Sequence, residues 1–180
     1  MESVKNPKRA RRVAFKVGII LMAVVLVVTV LIATSKSILP FFNVYIPSDS
    51  MASTITKGDR LLVGKISDTD DITRGEIVIF DSDEFKEMII KRIIGLPGDH
   101  IVIHDGIVNI NGNDIKEDYV NKDIKYNGTF DVPKGKFFLM GDNRPNSADS
   151  RYWRNPYIDK EAIKGKVIFR LYPFNKFGSI

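Results

Sequence analysis

The sequence predicts a mostly β protein: an antiparallel sandwich or partly closed barrel behind a single N-terminal transmembrane helix. Three observations lead there. Beyond residue 43 the chain breaks into many short β-branched or apolar runs separated by Gly, Asn and Asp turns, the pattern of all-β architectures. Residues 17–35 carry no charged side chain and are rich in Ile, Leu and Val. No internal repeat or low-complexity stretch interrupts either region.

Composition agrees. Of 180 residues, 44% are hydrophobic and 27% charged, which excludes a disordered chain. What remains after an anchor suffices for one domain with its own core. The absence of Cys excludes disulfides and thiolate metal sites without fixing the compartment. The net charge of +5 belongs to the N-terminus, where Lys5, Lys8, Arg9, Arg11, Arg12 and Lys16 face only Glu2. No basic–aromatic pattern follows, so no nucleic-acid surface is expected.

Taken in order, residues 1–16 form a basic tail and 17–35 a membrane anchor. A span of about 30 Å needs roughly 20 helical residues. A buried soluble helix would show a polar face, and none repeats here. A removable leader has an apolar core of about 7–15 residues, shorter than this run, and no clear small-x-small cleavage site follows. Basic residues stay cytoplasmic. The N-terminus is therefore placed on the cytoplasmic side of the cell membrane and residues 36–180 on the extracytoplasmic side. Leu39-Pro40-Phe41-Phe42 ends the helix, with its aromatic rings suited equally to the headgroup layer or to core packing.

Strands are expected at 44–46, 59–63, 76–80, 88–94, 100–104, 107–110, 136–140 and 166–172, with a helical turn at 159–163. Asp105-Gly106 and Asn111-Gly112 are favoured hairpin turns, and Leu96-Pro97-Gly98-Asp99 is another turn. The polar stretch 117–128 reads as a long loop on the main sheet.

The chemistry centres on Ile46-Pro47-Ser48-Asp49-Ser50-Met51. Serine needs a neighbouring base to act as a nucleophile. The two histidines, His100 and His104, share one predicted strand without a third ligand, so neither a metal site nor another cofactor is expected. Lys91 emerges between Ile89 and Ile93 on one strand face. Apolar surroundings would favour its neutral form, a competent base. On its own it fits better a solvated strand lysine with Arg92 turned inward. The loop 141–151 is dense in turn formers and polar groups; Asp149 and Arg151 can pair across it.

Four stretches together resemble the bacterial type I signal peptidases. They are Pro47-Ser48-Asp49-Ser50-Met51, residues 75–80, residues 91–99 and residues 141–153, in the family's order. The modest loops and single anchor resemble the Gram-positive forms. The resemblance implies a membrane-anchored serine endopeptidase of complex antiparallel β fold, cutting pre-proteins after Ala-x-Ala-like sites. It implies Ser50 as nucleophile and Lys91 as general base, a variant of triad logic. It further implies Ser147 as the hydroxyl orienting the lysine, and Ser48 with the Ser50 N–H as oxyanion hole. Arg92, Asp142, Asp149 and Arg151 would brace the site, and Ile46, Ile55, Ile89 and Ile90 would line small-residue pockets. Its partners would be pre-protein signal peptides and membrane lipid. Asp49 stands where the family usually has Gly, and Pro145 where it has an acidic residue. The Asp49 carboxylate is expected to point away from Lys91, whose charged form it would otherwise favour. Two other readings were open: a self-cleaving repressor of the Ser–Lys type, and a non-catalytic membrane-tethered β domain that binds a partner.

Overall fold

The computed structural model describes residues 7–35, 40–66, 72–120 and 124–180, with side chains in the N-terminal helix over 15–29. The first six residues of the basic tail and the junction 36–39 lie outside the described residues. Helix α1 spans Pro7–Ser35. Pro7 opens it, where a missing N–H costs no hydrogen bond. Its apolar side chains between Phe15 and Val28 are exposed. Among the described residues no helix is long and apolar enough to cross a membrane. The chain divides into two compact units, Met1–Pro40 and Phe41–Ile180.

The second unit is antiparallel throughout and contains two sheets. The larger is built from β1 (Phe41–Tyr45), β2 (Arg60–Lys65), β3 (Ile77–Ser82), β4 (Glu87–Gly95), β9 (Lys136–Met140), β10 (Tyr157–Asp159), β11 (Ile163–Tyr172) and β12 (Gly178–Ser179). Their order is β1-β2-β11-β3-β4-β9-β10, with β12 on β11. The smaller sheet holds β5 (His100–His104), β6 (Ile107–Ile110), β7 (Asn113–Asp114) and β8 (Gly128–Asp131), in the order β7-β6-β5-β8.

Side-chain alternation along β3 divides the core. Ile77 and Ile79 join Ile46, Met51, Ile55, Leu61, Val63 and Ile90 on one face. Val78 and Phe80 join Ile93, Phe137, Leu139 and Trp153 on the other. β9 alternates in the same way: Phe138 and Met140 pack instead with Ile101, Ile103, Val108 and Ile110 of the smaller sheet. A strand buried on both faces reads as a continuous apolar run, which is what Phe137-Phe138-Leu139-Met140 is.

Both hairpin turns form as expected. Asp105 and Gly106 have φ of 48° and 89°, and Asn111 and Gly112 have 53° and 87°, the positive pair that a type I′ turn requires. Phe42 packs against the core and Phe41 is exposed. The stretch 117–128 differs from expectation. It connects β7 to β8 of the smaller sheet and reaches across to the larger one, where Tyr119 covers the Arg92 guanidinium at 3.9 Å. Residues 121–123 of it lie outside the described residues.

Candidate active site

Ser50 is placed by its neighbours. Ile46 continues the β1 ladder, its N–H donating to the Asp59 carbonyl at 3.0 Å and its carbonyl accepting from Gly58 N–H at 2.9 Å. The chain then coils: Ala52 N–H donates to the Asp49 carbonyl, and Thr54 and Ile55 N–H groups donate to that of Met51. Met51 and Ile55 are fully buried, so Ser50 begins a turn pinned by two core residues. The loop after β9 holds it from the other side. Asn143 N–H donates to the Ser50 carbonyl at 3.1 Å, and its side-chain amide donates to the Asp49 carbonyl at 2.9 Å.

Lys91 comes from β4, opposite Val78 of β3. Its side chain is 3% exposed. Nζ lies 2.9 Å from Ser50 Oγ and 3.0 Å from the Ile90 carbonyl oxygen. Burial lowers its pKa from 10.5 to about 8, against the opposing pull of Asp149, Asp142 and Glu87. The lysine is therefore the inward-facing group and carries the properties of a base near neutral pH.

Two of the acidic residues near it, Asp142 and Asp149, are matched with arginines. Asp142 accepts from Arg92 Nε at 2.8 Å and Nη2 at 2.6 Å, and from the Thr54 hydroxyl. Arg92 also donates to the Gly75 carbonyl at 2.6 Å. Asp149 accepts from Arg151 Nε and Nη2, both at 2.8 Å, and from Gly141 N–H at 3.0 Å. Asp49 behaves as anticipated: it is exposed, and its carboxylate accepts Lys57 N–H at 2.9 Å. Its φ lies outside the positive range, so an L side chain is unstrained there.

Ser147 is buried beside this cluster, and its Oγ has no hydrogen-bond partner. The second Lys91 contact goes to the Ile90 carbonyl instead. Gly141 is required by the same crowding: a Cβ there would lie 2.2 Å from Ser147 Oγ and 2.5 Å from the Ser50 carbonyl oxygen. Ser48 is exposed at the cleft, and among the described residues the Ser50 N–H has no partner.

A cleft of about 300 Å³ opens over the dyad. Five consecutive β4 residues, from Glu87 to Lys91, line it together with Pro47, Ser48 and Ser50. Consecutive residues point to alternate faces, so the cleft sees this strand edge-on. The pairing explains why. β4 is bonded to β3 over 87–92 but to β9 only from Arg92 onward. The other edge of 87–91 carries no ladder among the described residues. Ile89 and Ile90 line the cleft, whereas Ile46 and Ile55 belong to the core behind it.

Sequence reasoning missed a second buried network. Arg144, 1% exposed, pairs with Glu117 at 2.5 Å and donates to the Gly141 carbonyl at 3.2 Å, while Tyr119 OH donates to the same Glu117. Arg144 is adjacent to Pro145 in a 3-10 turn, and nothing local announces its burial. Ser150 was also missed; it exchanges hydrogen bonds with the Leu139 backbone, anchoring the loop to β9. His100 and His104 are the exposed ends of β5, an inner strand of the smaller sheet, and no group of residues suited to a metal occurs among the described residues.

Comparison with known proteins gives this geometry its setting. The family profile described as "Signal peptidase, peptidase S26" matches residues 17–172. The chain is 38% identical over 146 residues to the signal peptidase I of Leptolyngbya laminosa, covering 76% of this chain and 71% of that protein. It is 40% identical over 139 residues to that of Bacillus licheniformis, covering 71% and 74%. A crystal structure of a signal peptidase I from Enterococcus faecalis aligns with a TM-score of 0.49 at 31% identity, over 53% of this chain and 96% of that one. These sequence matches make the chain a serine endopeptidase. It belongs to the signal peptidase family, peptidase S26, which sets aside both the repressor and the non-catalytic readings.

Proposed function

We propose that this signal peptidase cuts exported pre-proteins after Ala-x-Ala-like sites, with Ser50 as nucleophile and neutral Lys91 as general base. The observation that carries the reading is the buried Lys91 amine, 2.9 Å from Ser50 Oγ at the floor of a cleft. The substrate adds as an extended strand to the free edge of β4, gaining backbone hydrogen bonds. Small side chains before the cut sit against Ile89 and Ile90, with Ile46 and Ile55 behind them.

Ser50 Oγ attacks the scissile carbonyl carbon as Lys91 Nζ takes its proton. The tetrahedral oxyanion is held by the Ser48 hydroxyl and the Ser50 N–H. One such donor is worth about 3–4 kcal/mol of barrier. Collapse breaks the C–N bond, and the lysine ammonium returns its proton to the departing amine of the mature protein. A water, deprotonated by Lys91 Nζ, then attacks the Ser50 ester; the C–Oγ bond breaks, Lys91 returns the proton to Ser50 Oγ, and the signal peptide carboxylate is released. In this scheme Ser147 Oγ turns to Lys91 Nζ once substrate excludes water. Its unpartnered, buried hydroxyl supports that role.

The reading includes a single-pass anchor in the cell membrane over 17–35, a cytoplasmic tail at 1–16 and an extracytoplasmic body from 36 to 180. Uncharged sequence and exposed apolar side chains in α1 support it. Anchoring enzyme and substrate to one surface raises their effective concentration.

The test uses detergent-solubilised protein and a pre-protein ending its leader in Ala-x-Ala. Ser50→Ala and Lys91→Ala are each expected to lower kcat by at least about 10⁴-fold. Full cleavage by either variant would rule the dyad out.

A further inference from the structure

The cleft continues past the dyad to a carboxylate that the proposed reaction does not use. Glu87 stands four residues before Lys91 on β4, and both line the cleft. Residues 87, 89 and 91 point to one face of the strand. Along the cleft from Lys91, the Ile89 and Ile90 positions come first and Glu87 lies beyond them, beside Phe85 and Met88. At about 3.3 Å per residue, Glu87 is about 13 Å from the lysine. The rest of the lining is apolar, hydroxyl or amide, so Glu87 is its one acidic group. Among the described residues it has neither an ion pair nor a side-chain hydrogen bond. The nearby acidic groups are engaged elsewhere: Glu84 accepts Arg154 N–H, and Asp81 pairs with Lys164.

We propose that Glu87 is a specificity residue, accepting a hydrogen bond from a basic or amide-bearing side chain at the fourth or fifth substrate residue before the cut. This rests on the peptidase reading above and on its placement of the small-residue pockets at Ile89 and Ile90. In this placement the substrate strand runs parallel to β4, with its N-terminal side beside Glu87, and pairs with it in step. The residue opposite Lys91 is the one whose carbonyl is attacked, so the residue opposite Glu87 lies four further towards the substrate's N-terminus. Residues in step on neighbouring strands share a face and are about 5 Å apart, within reach for a Lys, Arg or Gln. Opposite charges across strands are favourable and like charges unfavourable. A carboxylate in the cleft therefore rejects Asp and Glu at that position as well as favouring Lys.

The experiment compares kcat/KM for pre-protein peptides that differ only in Lys, Gln or Glu at the fourth and fifth residues before the cut. The enzymes are the full-length protein in detergent, Glu87→Gln and Glu87→Lys. A change at residue 87 also alters the field at Lys91, so the readout is the Lys-to-Glu ratio within each enzyme, at one pH. The parent is expected to prefer Lys over Glu by about tenfold at low salt, with the preference shrinking as salt screens it. Glu87→Gln should level the ratio and Glu87→Lys should invert it. The same scan at the second residue before the cut should show no dependence on residue 87. A parent that cleaves all peptides with one kcat/KM, or a ratio unchanged in both variants, overturns the Glu87 inference alone. A parent that cleaves none of them overturns the peptidase reading and this inference with it.

Discussion

At the scale of single residues, the proposed dyad requires Lys91 to be buried among carboxylates and still be neutral. Burial pushes its amine down to about 8, while Asp149 and Asp142 pull it upward. Each of those carboxylates is occupied by an arginine, Arg151 and Arg92. The arginines thus act on the lysine through its neighbours. Two outcomes follow. In the parent, the free-amine fraction grows as pH rises towards about 8. Accordingly kcat/KM should rise about tenfold per pH unit below that value and level above it. A profile flat from acid to alkaline pH would contradict the role of Lys91. Between about 8 and 10.5 the unfolded chain still holds the proton that the folded one has lost, so this group's contribution to stability increases with pH across that window. In Arg92→Met, Asp142 is left unbalanced. The rising limb should move to higher pH, and breaking the buried pair should cost about 3–5 kcal/mol in denaturant unfolding. Arg92→Lys should restore most of the pH shift. Most of this constellation was legible in the sequence: Ser50, Lys91, Asp142, Asp149, Arg92 and Arg151 all converge. Arg144 and Glu117 were not, because 27 residues separate them and only the folded loop buries the pair.

At the scale of elements, regular strands were the readable part. The runs at 100–104, 107–110 and 136–140 match β5, β6 and β9 in full. The short β7, β10 and β12 escaped because two or three residues carry no period of their own. The expected helical turn at 159–163 is a 3-10 turn at Lys160–Ala162, and β11 begins directly after it. Joints between elements depend on close approach, which composition does not reveal. At Gly95, a Cβ would lie 2.5 Å from Ile101 Cδ1 and 2.9 Å from both Phe138 Cβ and Val132 Cγ2. Gly95→Ala should therefore wedge the smaller sheet from β9 and destabilise the body by about 1–3 kcal/mol, measurable by thermal unfolding. Gly141→Ala strikes the loop that holds Ser50. It should lower kcat by about 10²-fold or more through misplacement of the nucleophile, with a smaller change in KM for a short peptide.

At the scale of the whole chain, what the sequence withheld was the order of strands. β11 passes between β2 and β3, joining segments about a hundred residues apart, and no local pattern encodes that. The compact units are Met1–Pro40 and Phe41–Ile180, while the tail 1–16, the anchor 17–35 and a body from residue 36 belong to the proposal. A body beginning at residue 41 is expected to retain kcat on soluble peptides while losing at least about tenfold in rate on vesicle-bound pre-protein. Equal loss on both substrates would mean that the N-terminal unit supports the fold instead. The half-paired β4 has one more consequence. A row of unpaired backbone donors and acceptors is a template for any extended chain, whether or not that chain has a bond to cut. In the proposed binding mode the released leader occupies the same edge as the uncut one, so turnover would slow as product accumulates. At high concentration two copies of the soluble body would also compete to pair through their β4 edges. A short Ala-rich peptide should then act as both a competitive inhibitor and a dissociator of such dimers, two effects titrating together in activity assays and sedimentation.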